Sequence, residues 1–147
     1  MKKKLKAIKK PVRAAGKPTP LRAATKPVHD SSEGQRMALA AAAAALDKKA
    51  MGVEIIDVAG KVDYADYLVL MTGHADRHVA AIADAVDEAL GKQGWHAISI
   101  EGLPRGQWVL IDFVDIVVHV FLAETRSLYD LDGLWMDAKR VRVPGQV

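Results

Sequence analysis

A chain of 147 residues, 50% of them hydrophobic, has room for one domain with a core that needs no covalent staple. With no cysteine it cannot build a disulfide framework or a thiolate metal site. No run reaches the roughly 18 apolar residues of a membrane span, and no apolar signal core follows the first lysines, so a soluble, intracellular protein is expected rather than a secreted one.

The net charge of +3 divides unevenly. Residues 1 to 28 carry ten Lys/Arg and no acid, whereas the remainder carries eleven Lys/Arg against eighteen Asp/Glu, a net of −7. The tail also holds four prolines and few large apolar side chains, so residues 1–32 are expected to be a disordered basic arm. Such an arm favours polyanions without reading sequence, and non-specific contact with RNA is one role for it; a solubilising extension is the other. An organellar presequence fits less well, given the excess of lysine over arginine and the prolines.

The folded part is expected over residues 33–138. "SSEGQRMALAAAAAALDKKAMG" opens with Ser32 and Gln35 in a capping-box match, carries an alanine run that favours helix, and reaches a plausible stop at Gly52. "VEIIDVAG" and "DYLVLMTG" read as strands closed by glycine. In "ADRHVAAIADAVDEALGKQG" the residues Val79, Ile82, Ala83, Val86 and Leu90 step by three and four, a buried helical stripe with Asp76 as its expected N-cap. "WHAISIEG" reads as a third strand. "QWVLIDFVDIVVHVFL" is too long for one strand and reads as two, turning near Phe113 and Val114. "ETRSLYDLDGLWMDA" reads as a terminal helix with Leu128, Leu131, Leu134 and Trp135 on one side, and residues 139–147 as a loose end. These elements give an α/β fold: a single domain with a mixed five-stranded sheet and flanking helices.

A turn at Phe113-Val114 pairs Asp112 with Asp115, Leu110 with Val117 and Trp108 with His119. Side-chain alternation then sets those six on one face and Val109, Ile111, Phe113, Ile116, Val118 and Val120 on the other, which must be the core face. Two like charges side by side argue that the Trp108 face is accessible. Asp112, Asp115 and His119 have the atoms of a metal site, but His119 lies about 13 Å along the strand from Asp115, too far for one ion. Acid/base chemistry by the two aspartates needs a pocket and a third group that the sequence does not show. A face with a tryptophan and charges suits protein docking better.

"TGHADRHV" opens a helix after a strand, where amides can hold phosphate, but it lacks the repeated glycines of a nucleotide loop and reads rather as a turn and cap. His74 and His78 have helical metal spacing without a third ligand. "DLD" at 130–132 places its acids two apart on a helix, where they do not face one another.

The stretches "DYLVLMTGHADRHVAAIAD", "EG" at 101–102, "WVLIDFVDIVVHVF" and "ETRSLYDLDGLW" together resemble the ribosomal silencing factor family, RsfS, also called Iojap. The resemblance covers residues 33 to 138. It implies a fold related to nucleotidyltransferases without their catalysis, no cofactor, and no metal. It further implies binding to the large ribosomal subunit through its protein number fourteen, which blocks subunit joining and represses translation under nutrient limitation. The family's features fall on Thr72, Gly73, Arg77, Trp108, Asp112, Asp115, His119, Arg126, Tyr129, Leu134 and Trp135, of which all but the first two are expected to bind the partner. Val114 stands where the family usually has glycine, and Ala75 where it tends to have serine. Alternative readings are a magnesium-dependent nucleotidyltransferase, which would use Asp63, Asp66, Asp112 or Asp115, and a tail-driven RNA-binding or ribosome assembly factor. A homodimer of the free protein, formed through the hairpin, is a further expectation.

Overall fold

The structure is a computed structural model that describes residues 32–102 and 107–146. The expected basic arm, apart from Ser32, lies outside the described residues. The elements are α1 (Ser32–Asp47), β1 (Met51–Asp57), β2 (Tyr67–Gly73), α2 (Asp76–Lys92), β3 (Ser99–Glu101), β4 (Trp108–Asp112), β5 (Ile116–Leu122), α3 (Ala123–Tyr129), α4 (Leu131–Leu134) and β6 (Lys139–Val141). The sheet order is β3-β4-β5-β2-β1-β6. Its central neighbours β2 and β5 run parallel, and every other pair is antiparallel.

Both faces of the sheet are covered. On one, α1 and α2 pack over Ile55, Val69, Met71, Val109, Ile111, Val118 and Val120. The alanines explain how two helices fit there: Ala38, Ala41, Ala42 and Ala45 are buried and let the α1 backbone approach both sheet and α2 closely. The stripe Val79, Ile82, Ala83, Val86 and Leu90 is buried as its spacing requires. Burying each of its larger members contributes about 1.5–3 kcal/mol. On the other face, Trp108, Leu110, Val117 and Phe121 join Ile56, Val58, Leu68 and Leu70 in a second apolar cluster, closed by Leu131 and Ala138.

The mixed α/β fold is as expected, with a sixth strand added. Part of the expected loose end, residues 139–146, is described, and it is tied to β1. Lys139–Val141 pair with Ile55–Asp57 of β1, and the Gln146 side chain both donates to the carbonyl of Val53 and accepts from its N–H, at 2.8 Å each. The first helix opens at Ser32 as expected but ends at Asp47; Lys49 takes the left-handed turn (φ 63°), and Gly52 lies in a bulge of β1 rather than at a helix stop. The N-cap of α2 is Ala75, not Asp76, and no side chain caps it. The terminal helix is two: Asp130 (φ 44°) breaks it and caps α4 by accepting from Gly133 N–H at 3.0 Å. This break leaves Leu128 and Leu134 exposed and Leu131 buried, so they do not share a side.

A candidate docking face on the C-terminal hairpin and its lid

The hairpin turns one residue later than its sequence suggests. Asp112 pairs with Val117, Leu110 with His119 and Trp108 with Phe121, so the turn is Val114-Asp115. Asp112 Oδ1 accepts from Val114 N–H at 2.8 Å, and Asp115 N–H donates to Phe113 O at 2.9 Å around a Val114 held at φ 79°. This is a γ-turn of positive φ braced by an aspartate side chain. Moving the turn by one residue moves each pairing by two. An even shift preserves faces, and the six apolar residues do form the core face under α1 and α2.

The opposite face is not open, which corrects the expectation drawn from its charges. Trp108, Asp112 and His119 are 4%, 3% and 6% exposed. The helices α3 and α4 form a lid over this side: Tyr129 packs on Trp108 with centroids 4.8 Å apart and planes tilted by 38°, and Leu131 and Trp135 pack beside them. Beneath the lid, Trp108 Nε1 donates to His119 Nδ1 at 3.1 Å. Phe121 flanks both rings, at 5.2 Å from Trp108 and 5.8 Å from His119. The charge problem disappears with the register, since Asp112 and Asp115 are not directly opposed and Asp112 is engaged by the turn.

A second network seats the lid on the sheet. Arg126 spans Asp132 with two parallel bonds (Nε–Oδ2 and Nη2–Oδ1, 2.9 Å each) and donates through Nη1 to Gly52 O at 2.6 Å and Thr72 Oγ1 at 2.9 Å. One guanidinium thus ties α3 to α4, β1 and β2, and its donors serve the fold. The paired bonds from Arg126 hold the Asp132 carboxyl below the ordinary carboxylate range; partial burial opposes this, and the charges of Arg126 and Arg140 add to it. Arg140 closes the lid from β6, donating to Trp135 O at 2.6 Å and to Glu54 Oε1 at 3.0 Å.

Two glycines are fixed by close approach. A Cβ at Gly73 would lie 2.9 Å from Val79 Cγ2, where α2 starts against β2, and one at Gly102 would lie 1.9 Å from the carbonyl oxygen of Trp108. These contacts account for the "TG" and "EG" pairs.

The structure therefore brings Trp108, His119, Tyr129 and Trp135 together, but as a buried cluster and its lid. Leu134 is exposed on that lid, Asp115 is half-buried in the turn, and Arg77 is exposed at the start of α2. Gly52, Asp132 and Arg140 were not foreseen as members. Alternation in "KRVRV" was the one signal that could have placed Arg140 on a strand. Among the described residues no group of three or more His, Cys, Asp or Glu could hold a metal ion, and no helix is long and apolar enough to cross a membrane.

Residues 30–147 match the family model described as ribosomal silencing factor during starvation. A protein of Bacillus subtilis (strain 168) named ribosomal silencing factor RsfS is 40% identical over 98 residues, 67% of this chain and 83% of that protein. The RsfS of Zymomonas mobilis subsp. mobilis is 38% identical over 89 residues, 60% of this chain and 67% of its own. Protein Iojap, chloroplastic, of Zea mays is 25% identical over 115 residues, 78% of this chain and 50% of its own. A crystal structure of a Chromobacterium violaceum protein superposes with a TM-score of 0.68 at 30% identity, covering 75% of this chain and 91% of that one. One from Bacillus halodurans gives 0.64 at 32% identity, covering 76% and 98%. The matched residues run from the first turn of α1 through the lid to β6, and the chain belongs to the ribosomal silencing factor family, RsfS, together with Iojap.

Proposed function

We propose that this chain is a ribosome-associated silencing factor without catalysis, which represses translation in the bacterial cytoplasm. In this reading it binds the large ribosomal subunit through protein number fourteen and so blocks subunit joining when nutrients are limiting. Family membership and the relatives' name support the silencing role. The observation that carries the docking reading is the lid. Leu128, Leu134 and Met136 are 68%, 58% and 74% exposed within nine residues, beside half-buried Tyr129 and Trp135. Large apolar side chains gathered on a surface mark a protein contact. The lid segment 123–138 also carries four acids and one arginine, and that arginine is bound internally. An acidic, apolar surface complements a basic ribosomal protein, because opposite charge speeds encounter and sets register.

On this view Trp108, Asp112 and His119 act from beneath, by shaping the lid, whereas Leu134, Trp135 and Tyr129 supply contact. Asp115, in the hairpin turn, and Arg77, in the first turn of α2, lie outside the lid segment. The test is a gradient profile: the protein is added to separated subunits and the fraction of whole ribosomes is measured. The expected result is association with the large-subunit peak and loss of the joined peak. Undiminished joining with the factor bound would defeat the mechanism, and absence of binding would defeat the docking reading as well.

A further inference from the structure

The motif "TGHADRHV" contains a device that the docking reading does not use. His78, in the first turn of α2, bridges two segments. Its Nδ1 accepts from the backbone N–H of His74 at 2.9 Å, and its Nε2 lies 2.7 Å from the carbonyl oxygen of Lys48, just past the end of α1. A backbone N–H can only donate and a carbonyl can only accept. The two partners therefore fix one neutral tautomer, with the proton on Nε2 and a bare lone pair on Nδ1. The His74 ring stacks on that of His78, with centroids 4.3 Å apart and planes 19° from parallel.

This bridge stands where a conventional cap is missing. Ala75 is the N-cap of α2 and offers no side-chain oxygen, so the turn between β2 and α2 is anchored by His78 instead. A second proton on the ring would turn Nδ1 into a donor facing the His74 donor, and the bond would be lost. The resulting cation would sit in the first turn of a helix, where the peptide dipoles disfavour positive charge. The charged and titratable groups around it are Asp76 and Arg77 on α2, His74 in the turn, and Asp47, Lys48 and Lys49 at the end of α1. On the side of α3 stands Glu124, two residues past Leu122, the register partner of Gly73. Three acids thus meet three cations and a second imidazole, which gives an added positive charge no dedicated partner.

We propose that His78 is a proton-operated clip: neutral, it ties the end of α1 to the start of α2; protonated, it releases the 73–78 turn from the 48–50 loop and frees Arg77 to move with it.

The test uses the full ¹⁵N-labelled chain. Ring ¹⁵N–¹H correlation at pH 7.5 is expected to show His78 with its proton on Nε2, the signal being assigned by its loss in His78→Gln. On titration to pH 5.5 the backbone amides of His74 and of Lys48 to Ala50 should shift along the same curve as the His78 ring. In His78→Gln those shifts should vanish. His74→Ala keeps the backbone donor, so it should retain the linked shift at position 74, which separates the clip from ring stacking. A proton on Nδ1, amides that ignore protonation of the ring, or the same amide shifts persisting in His78→Gln would each overturn the proposal.

Discussion

The indole N–H of Trp108 points at Nδ1 of His119, 3.1 Å away, across a diagonal of the β4–β5 ladder and beneath Tyr129. Both residues are buried, so water cannot readily replace this bond. Trp108→Phe keeps most of the packing but removes the donor to His119 Nδ1, which should cost about 1–3 kcal/mol. Trp108→Ala also empties the site and should cost about 3–5 kcal/mol. Loss of ribosome binding in the alanine variant would then report the fold as much as the contact. A double-mutant cycle of Trp108→Phe and His119→Leu, read by urea unfolding, should give a coupling of about 1 kcal/mol. Additive single effects would show that the bond contributes nothing of its own.

How far this arrangement was legible follows from what each pattern measures. Strand alternation reports the face of a side chain, and it survives any even shift of register, so the core face of β4 and β5 could be read from Val109 through Val120. Register depends on the turn, and Val114 at φ 79° is a conformation that a β-branched residue resists. The lid was misread for a similar reason, because Asp130 in the left-handed region divides a stretch whose apolar spacing suits one helix. The accessibility expected of the Trp108 face rests instead on pairing Asp112 with Asp115, which the shifted register removes. The strand β6 is short and leads into Pro144 and Gly145, and its partner β1 is remote in sequence: Gln146 and Val53 bond across 93 positions. Burial of the Trp108 face is a tertiary fact that neither the hairpin nor the lid displays alone.

The turn at Val114 stores strain that can be released. A non-glycine residue held in such a sparsely populated region costs of the order of 1–3 kcal/mol. Val114→Gly removes that cost and returns part of it as greater chain entropy in the unfolded state. A net gain of about 1 kcal/mol is expected, with the Asp112–Val114 bond retained, seen as a Tm higher by a few degrees. Asp112→Ala should act in the opposite direction, because it removes the oxygen that accepts from Val114 N–H. A glycine variant less stable than the wild type would show that the surrounding sheet, and not the turn, sets this geometry.

Arg126 and Asp132 give the fold an acid limb whose sign can be stated. The folded-state pKa of Asp132 is lowered, first by the paired bonds from Arg126. A depressed carboxyl contributes stability that is fully present above its unfolded value, about 3.9, and is lost as pH falls through the folded value. The side chain is 33% exposed, so solvent screening keeps the contribution modest. Asp132→Asn should therefore cost most at pH 7, where that contribution is complete, and flatten the fall of stability below about pH 4. Arg126→Ala leaves Asp132, Thr72 and Gly52 without their shared donor and should cost about 2 kcal/mol or more at pH 7. Arg126→Lys cannot reproduce the fork and should recover only part of it. Denaturation of the three variants at pH 7 and pH 3.5 decides this, and parallel losses at both pH values would contradict it.

The lid separates binding from stability. Leu134 is 58% exposed and Met136 74%, so replacing either should change the stability of the free chain by no more than about 0.5 kcal/mol. If they anchor a partner, truncation at the centre of the contact should cost about 2 kcal/mol of binding, some thirtyfold in affinity. Leu134→Asp adds a charge to an already acidic segment and keeps its attraction for a basic partner, so any loss reports the apolar contact rather than the electrostatics. Trp108→Phe should show the converse, lower stability with binding little changed once the chain is folded. Co-sedimentation with large subunits, set beside thermal unfolding of the same variants, distinguishes the two. Full binding by Leu134→Asp and Met136→Asp together would move the docking face away from α3 and α4.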